Sequence, residues 1–222
     1  MANAFLVLCS RHRQQALVGA GCVGQPLIVL FGGPHQSAPR FTTFGVQPGD
    51  AIYPVAVRRG IMHIVGRLDV DEVIPLRRYL ASRFGIPDSE KIYWWEEVGR
   101  LLAEQPALLH LLPEGCIDEA AVGEGRTAIR FDRAVPGAVL ERLRLKSRTG
   151  PERGLRYLED GRLKNVQTLL GRVYRLSEAS AQEFAELFAQ LEATAIPKKA
   201  LQRTTQPSRR SVTFRSSWPS GQ

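Results

Sequence analysis

Short apolar runs shape residues 1–70, and helical spacing takes over afterwards. Runs at 5–9, 26–31, 52–57 and 61–70 have strand length, and the last two are rich in β-branched and aromatic residues. The continuous run at 26–31 predicts a central strand covered on both faces. Ser10 stands where an N-cap belongs, ahead of a short helix reaching about Val18. Beyond residue 74, apolar positions fall at Leu76, Tyr79, Leu80 and Phe84, the spacing of one helix face, and Gly85 followed by Pro87 predicts its end. A second helix is predicted over 89–104, with Ile92, Trp95, Val98, Leu101 and Leu102 on its apolar side, and a third apolar piece at 106–112. Residues 74–112 therefore read as a helical insertion. Residues 114–125, acidic and glycine-containing, predict a loop.

In the second half, 127–131 predicts a returning strand, while 139–145 suits strand or helix equally. Thr149 and Glu152 have the spacing of a capping box, which predicts a short helix containing Leu155 and Leu158. Asp160-Gly161 predicts a tight turn, and 166–176 a partly extended segment. Residues 177–193 predict a helix with Ala181, Phe184, Leu187, Phe188 and Leu191 on one face. From Pro197 onward Pro, Ser, Thr, Arg and Gln displace all periodicity, so 197–222 predicts a disordered basic tail.

Within 41–75 the pieces follow a definite order. Pro48-Gly49-Asp50 is turn chemistry, a strand follows, Arg58-Arg59-Gly60 makes a basic tip, and the return strand carries Gly66 before an acidic exit at Asp69, Asp71 and Glu72. This order resembles the core of the PUA-like superfamily, which includes the PUA, ASCH, EVE and YTH modules. The resemblance implies an α+β fold: a PUA-like small β-barrel, here with the helical insertion and a C-terminal helix, that binds RNA or a modified base. Gly161-Arg-Leu-Lys164 departs from the G-x-K-x-x-E-x-R pattern associated with ASCH modules, lacking its Lys position and its Glu, so no ASCH-type nuclease site carries over. The expected organisation is one domain over 1–196 followed by the tail.

Charge sharpens the picture. The net charge is +8, yet residues 1–125 hold 11 Lys/Arg against 13 Asp/Glu. Residues 126–175 hold 13 against 5, and 197–222 hold 6 against none. Such clustering is the footprint of a polyanion binder, because each neutralised phosphate releases counterions. The opening residues lack the basic n-region of a signal peptide and no apolar run reaches the roughly 20 residues of a membrane span, so a cytoplasmic protein is expected. Cys9, Cys22 and Cys116 form no C-x-x-C, and His12, His35, His63 and His110 share no ligand spacing. Neither metal nor cofactor is expected.

Gly19-Ala-Gly-Cys-Val-Gly24 matches G-x-G-x-x-G, but a strand-like run follows it and no acidic residue intervenes before Asp50 to hold a ribose, so it reads as a turn with close backbone packing. The carboxylates Asp69/Asp71/Glu72 and Glu96/Glu97 read as solvent-facing, and the chain as a binding module rather than an enzyme. Trp94 lies at the edge of the apolar face of the second helix, where it is placed to stack on a base, while Trp95 belongs to the core. The strongest candidate is the basic stretch. If 142–148 is extended, Arg142, Arg144, Lys146 and Arg148 share one face while Leu143 and Leu145 anchor the other. Arg153, Arg156, Arg162 and Lys164 continue it, and Arg58 and Arg59 supply the tip. The expected partner is RNA or DNA. The alternatives are an enzyme acting on a nucleotide or nucleic acid, or an interaction subunit whose basic tail docks an acidic protein.

Overall fold

The computed structural model describes residues 2–33, 39–85, 118–147, 150–169 and 173–194. The expected helices at 89–104 and 106–112, with Trp94 and Trp95, and also Arg148, Cys116 and the tail, lie outside the described residues. In chain order the first elements are β1 (Ala4–Leu8), α1 (Arg11–Gly19), β2 (Val29–Gly32), β3 (Ala51–Arg58), β4 (Ile61–Ile64), β5 (Leu68–Asp69) and β6 (Glu72–Pro75). There follow α2 (Leu76–Phe84), β7 (Glu119–Val122), α3 (Gly137–Arg142), β8 (Leu158–Glu159), β9 (Arg162–Leu163), a 3-10 turn at Val166–Leu169, β10 (Val173–Arg175) and α4 (Glu178–Thr194).

The larger sheet runs β10-β1-β3-β4, with β1 parallel to β3 and the other pairs antiparallel. β4 and β5 are the two halves of the expected return strand, paired to opposite ends of one edge of β3. The break between them follows from Gly66, where a Cβ would meet Leu27 Cδ2 at 2.9 Å and Thr127 Oγ1 at 3.2 Å. The smaller sheet runs β2-β7-β6, and β8 pairs only with β9. Of the run at 26–31, Leu27 and residues 29–31 are buried, but Pro26 is exposed and Ile28 half-buried; the strand β2 lies at an edge and β7 takes the centre. The 114–125 loop is corrected in the same way, because Glu119–Val122 is that central strand.

Alternation along the strands divides the interior into layers. Phe5 and Val7 of β1 and Ile52 and Ala56 of β3 face the space between the two sheets, with Leu27, Leu30 and Phe131 opposite. Leu6, Tyr53 and Val55 face the other way, onto Leu140 of α3 and Phe184 and Phe188 of α4. Val29, Phe31 and Ile74 of the smaller sheet pack under Tyr79 and Leu80 of α2. The order is helices, large sheet, small sheet, helix. Among the described residues the regular ladders form three sheets and no closed barrel. The strand expected over 127–131 does not form as a regular ladder; residues 127–135 instead make scattered backbone bonds to β4 and to the segment ahead of β2: Ile64 N–H to Arg133 O at 2.9 Å, Val135 N–H to Met62 O at 2.8 Å, and Leu27 N–H to Thr127 O at 2.8 Å.

Local signals set most element ends. Ser10 Oγ accepts the Arg13 N–H at 3.3 Å to open α1, and Gly85 at φ 67° closes α2. The buried Asp50 carboxylate accepts the Asn3 N–H at 2.7 Å and the Gln47 N–H at 2.9 Å, so the Pro-Gly-Asp turn also pins the start of β1. The glycine motif at 19–24 closes α1 rather than opening a helix, the wrong end for a pyrophosphate. Its glycines are open to solvent rather than closely packed, and Gly21 and Gly24 serve through φ of 71° and 89°. The capping-box helix does not form. Residues 150–157 are irregular, because Arg153 pairs its backbone with Leu145 instead.

Candidate nucleic-acid interface

The loop between β3 and β4 is two residues, Arg59 at φ 50° and Gly60 at φ 80°, the left-handed pair of a type I′ hairpin. Asp160 at φ 49° and Gly161 at φ 68° make a second such loop between β8 and β9. The two hairpins lock together. Gly60 O accepts the Leu163 N–H at 2.8 Å, and a Cβ on Gly60 would lie 3.1 Å from Leu163 O. Gly161 meets Gly137 at the start of α3, where a Cβ would come within 2.5 Å of the Gly137 Cα. The tip with Arg58 and Arg59 is thereby fixed beside Arg162 and Lys164, about a hundred residues away in sequence, and all four side chains are exposed.

Arg58 is positioned from below. Its Nε donates to Gln14 Oε1 at 3.1 Å, its guanidinium lies 4.8 Å over the Phe131 ring, and the buried Gln14 is itself held by donation to Cys9 O at 3.0 Å. Burial, and then the charge of Arg58, push the neighbouring His63 below its ordinary pKa, with Asp132 opposing. Arg11, Gln15 and Val18 of α1 border the same tip across a cleft of about 720 Å³.

The 142–148 stripe divides. Leu143 and Leu145 are buried and Arg144 and Lys146 exposed, as the alternation predicts, but Arg142 belongs to α3. Its guanidinium pairs with Glu183 of α4. Arg144 Nη1 donates to Glu141 O at 2.8 Å and Leu143 O at 3.0 Å, capping the end of α3. Lys146 faces a different cleft, together with Arg67 and Arg175. Lys164 pairs with Glu159 at 3.3 Å across the β8–β9 hairpin.

Arg153 and Arg156 instead share a concavity of about 320 Å³ with Tyr157, Gln167 and Tyr174, none of which the sequence singles out. Tyr157 is 57% exposed and adopts φ 57°. With Arg59 and Asp160 it completes the set of non-glycine residues at positive φ among the described residues, and all three lie on these two hairpins and the turn leading into them. The available signal was Tyr157 itself, an aromatic residue inside a basic run.

Another basic residue has the opposite fate. Among the described residues Arg133 is the largest fully buried side chain, donating to Val65 O at 2.9 Å and Ala128 O at 3.1 Å and pairing with Glu192 of α4. Asp69 is paired with Arg67 at 2.6 Å. Among the described residues no group of three or more His, Cys, Asp or Glu could hold a metal ion, and no helix is long and apolar enough to cross a membrane.

No family model and no curated protein matches the chain. Among solved structures it is similar to two single-residue mutants of ZmASCH from Zymomonas mobilis, at 12% and 14% identity. The matches cover 83% of this chain and 95% and 97% of theirs, with TM-scores of 0.33 and 0.32. At that depth the likeness transfers no residue, substrate or activity.

Proposed function

We propose that this chain is a nucleic-acid-binding module of PUA-like fold, holding RNA or DNA by its phosphates on Arg58, Arg59, Arg153, Arg156, Arg162 and Lys164. The observation that carries the reading is the locking of the two basic hairpins into one exposed face through Gly60 and Leu163. The set is narrower than the sequence alone implies, since Arg142 is engaged by the half-buried Glu183 and Arg144 by the end of its own helix, whereas the longer pair of Lys164 with Glu159 is exposed on both sides and can open to a phosphate. The scattered bonds of residues 127–135, which run from β4 across to residues 24–27, support a loosely closed pseudo-barrel as the frame. Binding of labelled single-stranded RNA, measured by anisotropy over a salt series, tests the proposal. Single strands lose about 0.7 in slope per phosphate contact, so four to six contacts predict a log–log slope of about −3 to −4. Absent binding, or binding indifferent to salt, overturns it.

A further inference from the structure

We infer that the concavity of Arg153, Arg156, Tyr157, Gln167 and Tyr174 is a pocket for one unpaired nucleotide, so that this face prefers single-stranded nucleic acid to duplex. The inference rests on the nucleic-acid reading and adds a substrate class to it. The volume of about 320 Å³ lies at the lower end of small-ligand sites, a size for one nucleotide rather than a longer segment. Its chemistry is divided as a nucleotide requires. Arg153 and Arg156 are exposed and, among the described residues, have no carboxylate partner, so they are available to a phosphate. Tyr157 and Tyr174 offer aromatic surface for the base. Gln167 offers a carboxamide that can both donate to and accept from a base edge, and Asn165 orients it, accepting the Gln167 N–H at 2.8 Å and donating to Gln167 Oε1 at 3.3 Å.

The walls are fixed before any ligand arrives. Leu145 exchanges two backbone bonds with Arg153, at 2.7 and 3.1 Å, and bridges Leu176 on its other side, so the segments carrying Arg153 and Tyr174 share one anchor. Tyr157 O accepts the Lys164 N–H at 2.8 Å, which ties the aromatic wall to the phosphate-binding hairpin. The exposed ring of Tyr157 is carried on a left-handed backbone that glycine would adopt more easily, and its burial does not compensate. A residue kept there for packing has little packing to offer.

Tyr157→Gly in the full chain separates the two roles, because glycine keeps the φ and removes the ring. Affinity for a short single-stranded RNA of mixed sequence is expected to fall about 5- to 140-fold, the equivalent of about 1–3 kcal/mol for one stacked base. Affinity for an RNA duplex of the same length and the salt slope are expected to stay unchanged, with a melting temperature no lower than wild type. Unchanged single-strand affinity beside a preserved salt slope overturns the pocket and leaves the phosphate-binding face standing. A lowered melting temperature with equal losses on both RNAs also overturns it, returning the ring to packing. Wild-type protein that binds neither RNA overturns pocket and face together.

Discussion

Removing Glu192 should cost more than removing Glu192 and its partner together. Arg133 has 1% of its side chain exposed, is held by two carbonyls, lies 5.3 Å over Phe188 and meets Glu192, which joins the last turns of α4 to the sheet. Burial lowers the Arg133 pKa and Glu192 opposes this, so the carboxylate is what keeps the cation tolerable there. Glu192→Ala strands the guanidinium. Breaking a fully buried pair from one side costs about 3–5 kcal/mol; here Glu192 keeps 35% of its side chain exposed and water can approach, so about 2–3 kcal/mol is expected. That corresponds to a melting temperature lower by roughly 4–12 °C for a chain of this size. Arg133→Met in the same background removes the stranded charge and refills the volume. Val65 O still accepts the Arg130 N–H at 2.8 Å, so the loss reduces to the bond at Ala128 O, about 1 kcal/mol. The double variant should therefore be more stable than Glu192→Ala, with a coupling of about 1–2 kcal/mol in a urea-denaturation cycle. Additive single effects, or a Glu192→Ala variant within about 0.5 kcal/mol of wild type, would refute the reasoning.

Three further outcomes are expected. Burial raises Cys9 to about 11 against the lowering influence of Arg13 and Arg58, so the folded pKa exceeds the unfolded value; stability is full below about pH 9 and lost as pH rises towards about 11, by roughly 2–3 kcal/mol. Cys9→Ala should abolish that alkaline loss in urea titrations, and its persistence would clear the thiol. His63, lowered first by burial and then by Arg58, should titrate by NMR below 6.5, with its stability contribution kept above that pH and lost as pH falls further; saturating RNA should raise the midpoint by neutralising Arg58, and an unmoved midpoint argues against phosphate at the tip. Arg59→Gly relieves the φ of 50°, so it should leave stability unchanged or raise it by up to about 1 kcal/mol while weakening RNA binding; a loss of stability on thermal melting would contradict the hairpin geometry.

Elements announced by neighbouring residues were legible in the sequence. Ser10 before α1, Gly85 after α2, the apolar face of α4 and the Asp160-Gly161 turn each carry their signal within a few positions. Features made by distant partners were not. Glu119-Ala-Ala-Val has little strand propensity, yet it is a central strand because β2 and β6 pair on both sides and because Phe41 and Thr42 donate to the Glu119 carboxylate. The Thr149/Glu152 spacing lost to the backbone pairing of Arg153 with Leu145. Arg133 reads in sequence like the solvent-accessible Arg126 and Arg130 before it, and the packing of α4 is what distinguishes it. The interface divides the same way: each hairpin was visible as a basic turn, whereas their docking through Gly60 and Leu163 was not, and Tyr157 gains meaning only beside Tyr174 and Gln167.

The shared basic face is tested most directly by the salt slope of a variant with Arg59, Arg156 and Arg162 changed together to Ser, set against wild type on the same single-stranded RNA. All three side chains are exposed, so the fold should persist by circular dichroism. At about 0.7 per contact the slope should become shallower by about 2, with affinity falling most at low salt. A folded triple variant that keeps the wild-type slope and affinity would contradict the account and return these residues to a solvated surface.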